Sequence, residues 1–219
     1  MNNFKIIIFG PQGSGKGTQA QMLSKLLNVP HISTGAIFRQ IQTAESVDAR
    51  LIKSYLNQGK LVPDSHVNKL VADRLKQSDC KGGFILDGYP RNRAQADFLL
   101  KQTKINYVIV IKLPDADGIF RISKRRVCAN GHSYHPKFAP PKSDGICDIY
   151  SLPLFQREDE TEEAIKQRLA IYHSETEPLI ENLRKHDIKT LEIDGRPAIG
   201  EVGEEIKNKL NLGKFLNGK

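Results

Sequence analysis

Residues 10–18 read Gly-Pro-Gln-Gly-Ser-Gly-Lys-Gly-Thr, and their types and spacing are those of a phosphate cradle. Gly10, Gly13 and Gly15 permit backbone conformations closed to other residues, so several N–H groups can crowd around one anion. Lys16 stands where its ammonium can reach the terminal phosphates of a nucleotide, with Ser14 before it and Gly17 and Thr18 after it. The general pattern has Ser or Thr directly after the lysine; here Gly17 intervenes. Such a cradle can bind a nucleoside triphosphate and stabilise charge as it shifts between phosphate oxygens. The arginines are the second informative set, because they occupy discrete places among scattered lysines. A guanidinium presents a planar fork of donors that matches phosphate oxygens, whereas an ammonium supplies charge alone.

A cradle of this kind needs a buried strand before it and a helix after it, whose N-terminal partial charge faces the anion. Both are legible. Phe4-Lys5-Ile6-Ile7-Ile8-Phe9 is an apolar run rich in β-branched residues. Ala20, Met22, Leu23, Leu26 and Leu27 predict one helical face, ending at Asn28-Val29-Pro30. Asp64, after Pro63, is placed to cap a helix whose buried face is Val67, Leu70, Val71 and Leu75. Residues 83–88 and 107–113 predict buried strands, the second closed by Pro114 and followed by a segment containing Gly118. Residues 190–195 predict another, ahead of an amphipathic helix that reaches Leu210. Strands separated by helices predict an α/β fold, with a parallel sheet covered on both faces. Residues 33–62 and 124–161 break this rhythm and read as insertions over the carboxyl edge of the sheet, where such folds bind ligands. The core then comprises residues 1–32, 63–123 and 162–219.

A chain of 219 residues, 39% hydrophobic and 26% charged, suffices for one globular core with insertions. The net charge of +8 favours anionic partners without naming them, since the lysines form no basic block. No apolar run approaches the ~18 residues of a membrane span, and the first strand starts too early to leave room for a signal peptide. A cytoplasmic protein with no membrane partner is expected. Three cysteines make no disulfide framework, and Cys80, ahead of a strand, is expected to be buried. No apolar stripe is left over for an interface, so a monomer is expected.

The motifs also occur in a telling order: the glycine-rich segment through Gln19, Ile32-Ser-Thr-Gly35, Asp87-Gly-Tyr-Pro-Arg91, Arg125-Arg-Val127, Tyr134-His135, Pro140-Pro-Lys142, and Arg157 through Arg168. From about residue 4 to about residue 197 this resembles the adenylate kinases in their bacterial long-lid form. The resemblance implies a P-loop NTPase-type, five-stranded parallel sheet flanked by helices. It also implies a helical AMP-binding insertion at 33–62 and a mobile lid at 124–161. The implied reaction is reversible phosphoryl transfer from Mg-ATP to AMP, giving two ADP. Lys16, Arg91, Arg125, Arg157 and Arg168 match the family's catalytic positions. Gly13, Ser14, Gly15, Lys16, Gly17, Thr18, Arg121, Arg125, Ser133, Tyr134 and Arg196 match those that bind ATP. The AMP positions fall on Thr34, Gly35, Arg39, Lys60, Leu61, Val62, Gly88, Arg91, Gln95, Arg157 and Arg168. The Gln95 amide offers a donor and an acceptor together, which suits an adenine edge. Asp87, at the end of a strand beside the cradle, is implied to order Mg²⁺ through water; the same residue could instead cap the turn that follows. Asp159 resembles a lid carboxylate near the active site, and Arg126 lies outside the matched set. No general base is required, since phosphoryl transfer runs on positioning and charge stabilisation.

Two features depart from the family. Ala36 replaces an aspartate that usually follows Ser-Thr-Gly, removing a group that could cap a helix. In the lid, many relatives bind structural zinc through two Cys-x-x-Cys pairs, and others use a hydrogen-bond network. This chain keeps Cys128 and Cys147, with His132 displaced by one residue and Tyr150 at a partner position. Cys128, His132 and Cys147 could supply three zinc ligands, with Asp148 or a water as the fourth. The alternative is a metal-free lid held by side-chain hydrogen bonds. Other acceptors (another nucleoside monophosphate) and GTP as donor remain alternatives to ATP and AMP. A nucleic-acid-binding module would need basic residues among the lid aromatics Tyr134, Phe138, Tyr150 and Phe155, and no basic cluster lies there.

Overall fold

The computed structural model describes residues 4–42, 50, 52, 54, 55 and 62–212. Five strands form one parallel sheet in the order β2-β3-β1-β4-β7. They are β1 (Phe4–Phe9), β2 (His31–Ser33), β3 (Gly83–Asp87), β4 (Tyr107–Lys112) and β7 (Lys189–Asp194). Helices α1 (Lys16–Leu27), α2 (Thr34–Gln42), α3 (Asp64–Leu75), α4 (Arg93–Gln102) and α5 (Asp115–Ser123) connect or flank them, and α6 (Glu162–Ile171), α7 (Glu177–Leu183) and α8 (Ile199–Lys209) follow. A separate two-stranded antiparallel sheet pairs β5 (Arg126–Val127) with β6 (Ser133–Tyr134). Among the described residues, no helix is long and apolar enough to cross a membrane.

The near-continuous apolar strands follow from burial of both sheet faces. Ile7 and Phe9 enter one cluster with Phe84, Leu86, Val108 and Val110. Ile6 and Ile8 turn to the other, with Ile85, Ile109, Ile111 and Ile193. Because side chains alternate along a strand, the same run feeds two cores. Register brings the carboxyl ends to one edge: Ile8 pairs with Asp87, Ser33 with Asp87, and Phe9 with Val110. The turns that leave this edge carry Gly10, Thr34, Gly88, Pro114 and Gly195.

Several local expectations are corrected. The short strand His31–Ser33 adds a partner to β3 inside a stretch too polar to announce a strand. Met22 is 37% exposed, so the buried side of α1 is Gln19, Ala20 and Leu23. Asp64 starts its helix but makes no cap; its carboxylate accepts from Asn92 Nδ2 and Gln95 Nε2. Position 36 is not the capping position either. Helix α2 begins at Thr34, and the Ala36 N–H is met by Ser33 Oγ at 3.4 Å. Cys80 is buried as expected, at 4% exposure.

Candidate active site

The cradle is built by close backbone approach. Gly13 has φ +80°, and a Cβ there would meet Gly118 Cα at 2.6 Å. Only glycine at both positions lets the cradle pack on helix α5, which ties the Gly118 segment to phosphate binding. Gly15, at φ +86°, precedes the first residue of α1, so the helix N-terminus opens onto the cradle. Ser14 is buried, whereas Thr18 is exposed on the helix. Lys16 Nζ donates to the Pro11 carbonyl at 3.3 Å. Burial, together with the charges of Arg91, Arg125 and Arg168, pulls its pKa down to about 8, against the opposing pull of Asp87. Burial is the larger cause of this depression, and the three guanidiniums add to it.

This positive charge is assembled from segments distant in sequence. Burial lowers the pKa of Arg39, Arg91 and Arg157, the last to about 10, and their cationic neighbours add to it. Three carboxylates answer these cations. Asp159 accepts from Arg168 Nη2 at 2.9 Å. Glu160, with a side chain 1% exposed, accepts from Arg125 and from Arg157 Nη1 at 3.3 Å. Asp87 lies 3.3 Å from His31 Nε2. Burial alone would raise the Asp87 pKa, but the His31 hydrogen bond and the Lys16 charge outweigh it and leave it lowered. No bond from Asp87 to the following turn is found among the described residues, so it serves as a buried anion rather than a cap. Glu160 and His31 are site residues that sequence reading missed. The spacing of Glu160 three residues after Arg157 was a weak signal, and His31 had none.

Arg121 stands apart. Its guanidinium donates to Gly195 O at 2.8 Å, Arg196 O at 3.3 Å and Gly13 O at 3.5 Å, and lies 4.8 Å from the centre of the Phe138 ring. Phe138 in turn packs against His135, with ring centres 4.7 Å apart and planes tilted by 44°. An arginine plane and two rings beside the cradle form a surface suited to a flat base. Arg196 is exposed, and its guanidinium is bound by Asp194. Arg126 is held by the carbonyls of Arg125 and Ser123, in keeping with a structural role.

On the opposite side of the sheet edge, Thr34 Oγ1 donates to Gly88 O at 2.9 Å, as does Arg91 Nε. Gly88 has φ +79°, and a Cβ there would meet Thr34 Oγ1 at 3.0 Å. Gly35 lies against the Arg39 guanidinium. Gln95 is buried, with its amide turned inward: Oε1 accepts from the Arg91 N–H at 2.8 Å, and Nε2 donates to Asp64 at 2.7 Å. Val62 is buried in the core, and Lys60 and Leu61 lie outside the described residues. A cavity lined by Gln12, Lys16, Gly88, Arg91, Arg168 and Tyr172 joins this side to the cradle.

In the 124–161 segment, one ligand atom each from Cys128, His132 and Cys147 come within 4.8 Å of one another. Asp148 is not among them; it is exposed and accepts from the Lys142 N–H at 2.8 Å. Tyr134 does not turn its hydroxyl to the nucleotide side. That hydroxyl lies 3.4 Å from Cys147 Sγ and accepts from the Asp148 N–H, while neighbouring Ser133 is exposed. Burial alone would raise the Cys147 thiol, but hydrogen bonds from Tyr134, two backbone N–H groups and Cys128 pull it down to about 6. A thiolate beside a second sulfur and an imidazole is a donor set that fits zinc.

A family model for adenylate kinase matches residues 8–188 of the chain. The chain is 44% identical over 216 residues to the adenylate kinase of Clostridium beijerinckii, covering 96% of this chain and 100% of that one. It is 44% identical over 213 residues to the adenylate kinase of Streptomyces coelicolor, covering 94% and 96% respectively. The adenylate kinase of Caldicellulosiruptor bescii is 41% identical over 214 residues, covering 95% and 99%.

Proposed function

The chain belongs to the adenylate kinase family and transfers a phosphoryl group between ATP and AMP; from that premise we propose which of its residues perform the transfer. The carrying observation is the lysine whose pKa is drawn down to about 8 by burial and by Arg91, Arg125 and Arg168. A cluster so short of negative charge is completed by polyphosphate. Residues 13–18 hold the donor phosphates by backbone N–H groups and Lys16. Arg91 and Arg168, with Arg39 and Arg157, hold the acceptor phosphate. Arg125 and Arg157 release Glu160, and Arg168 releases Asp159, as phosphate oxygens replace the carboxylates. The guanidinium forks then follow the charge of the transferring group, so positioning carries the rate and no proton acceptor is needed.

Thr34 and Gln95 bound the acceptor base; for Gln95 to read adenine, its amide leaves Asp64 and the Arg91 N–H. The Arg121–Phe138–His135 surface takes the donor base, joined by backbone around Ser133, Tyr134 and Arg196. Residues 33–62 act as the acceptor insertion, and 124–161 act as a lid that excludes water during transfer. Asp87, a buried anion beside Lys16, suits a magnesium ion held through water, which would supply charge neutralisation on the donor phosphates. Cys128, His132 and Cys147 suit one structural zinc, with water as fourth ligand. The protein acts in the cytoplasm as a monomer. Coupled turnover of ATP with AMP, beside UMP, CMP and GMP, tests this reading. AMP-dependent ADP formation is expected, falling at least ~100-fold in Lys16→Ala; equal turnover with another monophosphate would overturn the assignment of Thr34 and Gln95.

A further inference from the structure

Between α6 and α7 the chain makes a π-helical turn, Tyr172–Thr176, closed by the Glu177 N–H on the Tyr172 carbonyl. Pro178 follows at the start of α7, and its ring would press on the Ser174 carbonyl in an unbroken α-helix. The wider turn relieves that contact, and such turns occur mostly at functional sites. A threonine ahead of Glu-Pro is of the type that caps a helix through its hydroxyl. Thr176 stands at the cap position of α7 but makes no such bond, and its backbone stays helical at φ −85° and ψ −38°. Its hydroxyl, on a buried residue, donates instead to the Arg91 carbonyl at 2.9 Å, across 85 positions of the chain.

Among the described contacts Arg91 is thereby held at its N–H, its Nε and its carbonyl. The N–H donates to Gln95 Oε1 at 2.8 Å and the Nε to Gly88 O at 2.9 Å. Those two partners lie within four residues of Arg91, so they set its local shape rather than its place against α6. Gln95 also gives up the Arg91 N–H if it turns to a base, as assigned above. Thr176 differs, because it belongs to the helical stretch that carries Arg168. Arg91, Arg168 and Thr176 line one cavity, and the Arg168 charge adds to burial in lowering the Arg91 pKa. Two guanidiniums that repel each other keep one spacing only where their backbones are tied.

We propose that Thr176 is a positioning residue for the phosphoryl transfer, whose hydroxyl ties the Arg91 backbone to the helical stretch carrying Arg168. Both guanidiniums then meet the acceptor phosphate at one fixed spacing, and Thr176 itself touches no substrate. The π turn supplies the aim of the hydroxyl, which is why it is not spent on a helix cap. The proposal rests on the reading of Arg91 and Arg168 as acceptor-phosphate ligands.

Thr176→Val removes the donor and keeps the shape. The KM for AMP should rise about tenfold, well inside the loss that a misplaced group can cause, with the KM for ATP unchanged. Thr176→Ser restores the donor and should return the KM for AMP to its original value. Thr176→Ala packs differently and should shift that KM by the same factor as Thr176→Val, whatever its Tm. In Arg91→Ala the effect of Thr176→Val should vanish, because no guanidinium remains to be placed. An unchanged KM for AMP in Thr176→Val, equal shifts for both substrates, or a shift that follows Tm rather than the hydroxyl would overturn the proposal. So would an effect of Thr176→Val that persists in Arg91→Ala. Arg91→Ala alone separates the two levels. If it leaves the KM for AMP unchanged, the acceptor-phosphate reading itself fails; if it raises that KM while Thr176→Val does not, only the positioning role fails.

Discussion

In the parallel sheet, Ile6, Ile7, Ile8, Ile85, Leu86 and Val108 through Ile111 are at most 1% exposed. In the 124–161 segment, Phe138, Ile146, Ile149, Tyr150 and Phe155 are 38–66% exposed, while Cys128, His135, Cys147 and Glu160 are buried. None of the apolar clusters among the described residues contains a residue of that segment. The sheet is therefore held by non-directional burial, which has no cheap alternative arrangement. The segment is held by a short antiparallel ladder and backbone bridges, with thiols, an imidazole, a phenol and ion pairs beside them, all directional contacts. Glu160 shows what this permits. It occupies Arg125 and Arg157, and a phosphate can take its place without unpacking any core. A region with few buried apolar contacts opens at small cost, which suits the lid role proposed for 124–161.

The sharpest break of this comparison sets Ile109→Ala against Ile149→Ala. Ile109 touches both β1 and β7 through its strand, and its truncation should cost about 3–4 kcal/mol of global stability in denaturant unfolding. Ile149, two-thirds exposed, should cost less than about 0.5 kcal/mol. Comparable losses would show that the segment has an apolar core of its own. Next in size is the metal. One equivalent of zinc should bind per chain and raise the protease resistance of 124–161, by about 2.7 kcal/mol when free zinc exceeds Kd a hundredfold. Cys147→Ser should abolish that gain. No zinc uptake by mass spectrometry would leave the hydrogen bonds of Tyr134, Cys147 and Asp148 to order this corner of the segment without a metal.

The smallest effect is a proton. With Lys16 near 8, the folded chain binds fewer protons than the unfolded chain between about 8 and the ordinary value of 10.5. The shift therefore costs stability below that window, and the cost fades as pH rises through it. Phosphate binding reverses the shift, so ATP binding at pH 8 should take up about half a proton, read by calorimetry in buffers of different ionisation heat. Uptake of no proton would show that burial and the neighbouring arginines do not depress Lys16 in the free protein.

How much was legible depended on how local the physics is. Residues 10–18 were readable because the cradle is a property of neighbouring backbone units, and the strands were readable because burial on both faces writes a continuous apolar run. The arginines were readable as types, and a family pattern assigned them roles. Pairings across distant segments were not. Asp64 looked like a cap because Pro63 precedes it, yet Asn92 and Gln95 claim its carboxylate. Gln95 looked free to face a base and is turned inward, and Tyr134 looked like a nucleotide neighbour and supports Cys147. The His31–Asp87 contact and the π turn left no periodic signature, and the Glu160 bridge left only its i,i+3 spacing from Arg157.

The phosphate cradle, the parallel sheet and the surplus of guanidinium groups are properties of the chain alone, because each follows from side-chain type and near-neighbour spacing. Which carboxylates occupy those guanidiniums, that Gly13 needs Gly118, and that Tyr172 lines the same cavity as Lys16 were set by packing. Those contacts join residues tens of positions apart, and their energies depend on burial and distance, which exist only once the elements have packed.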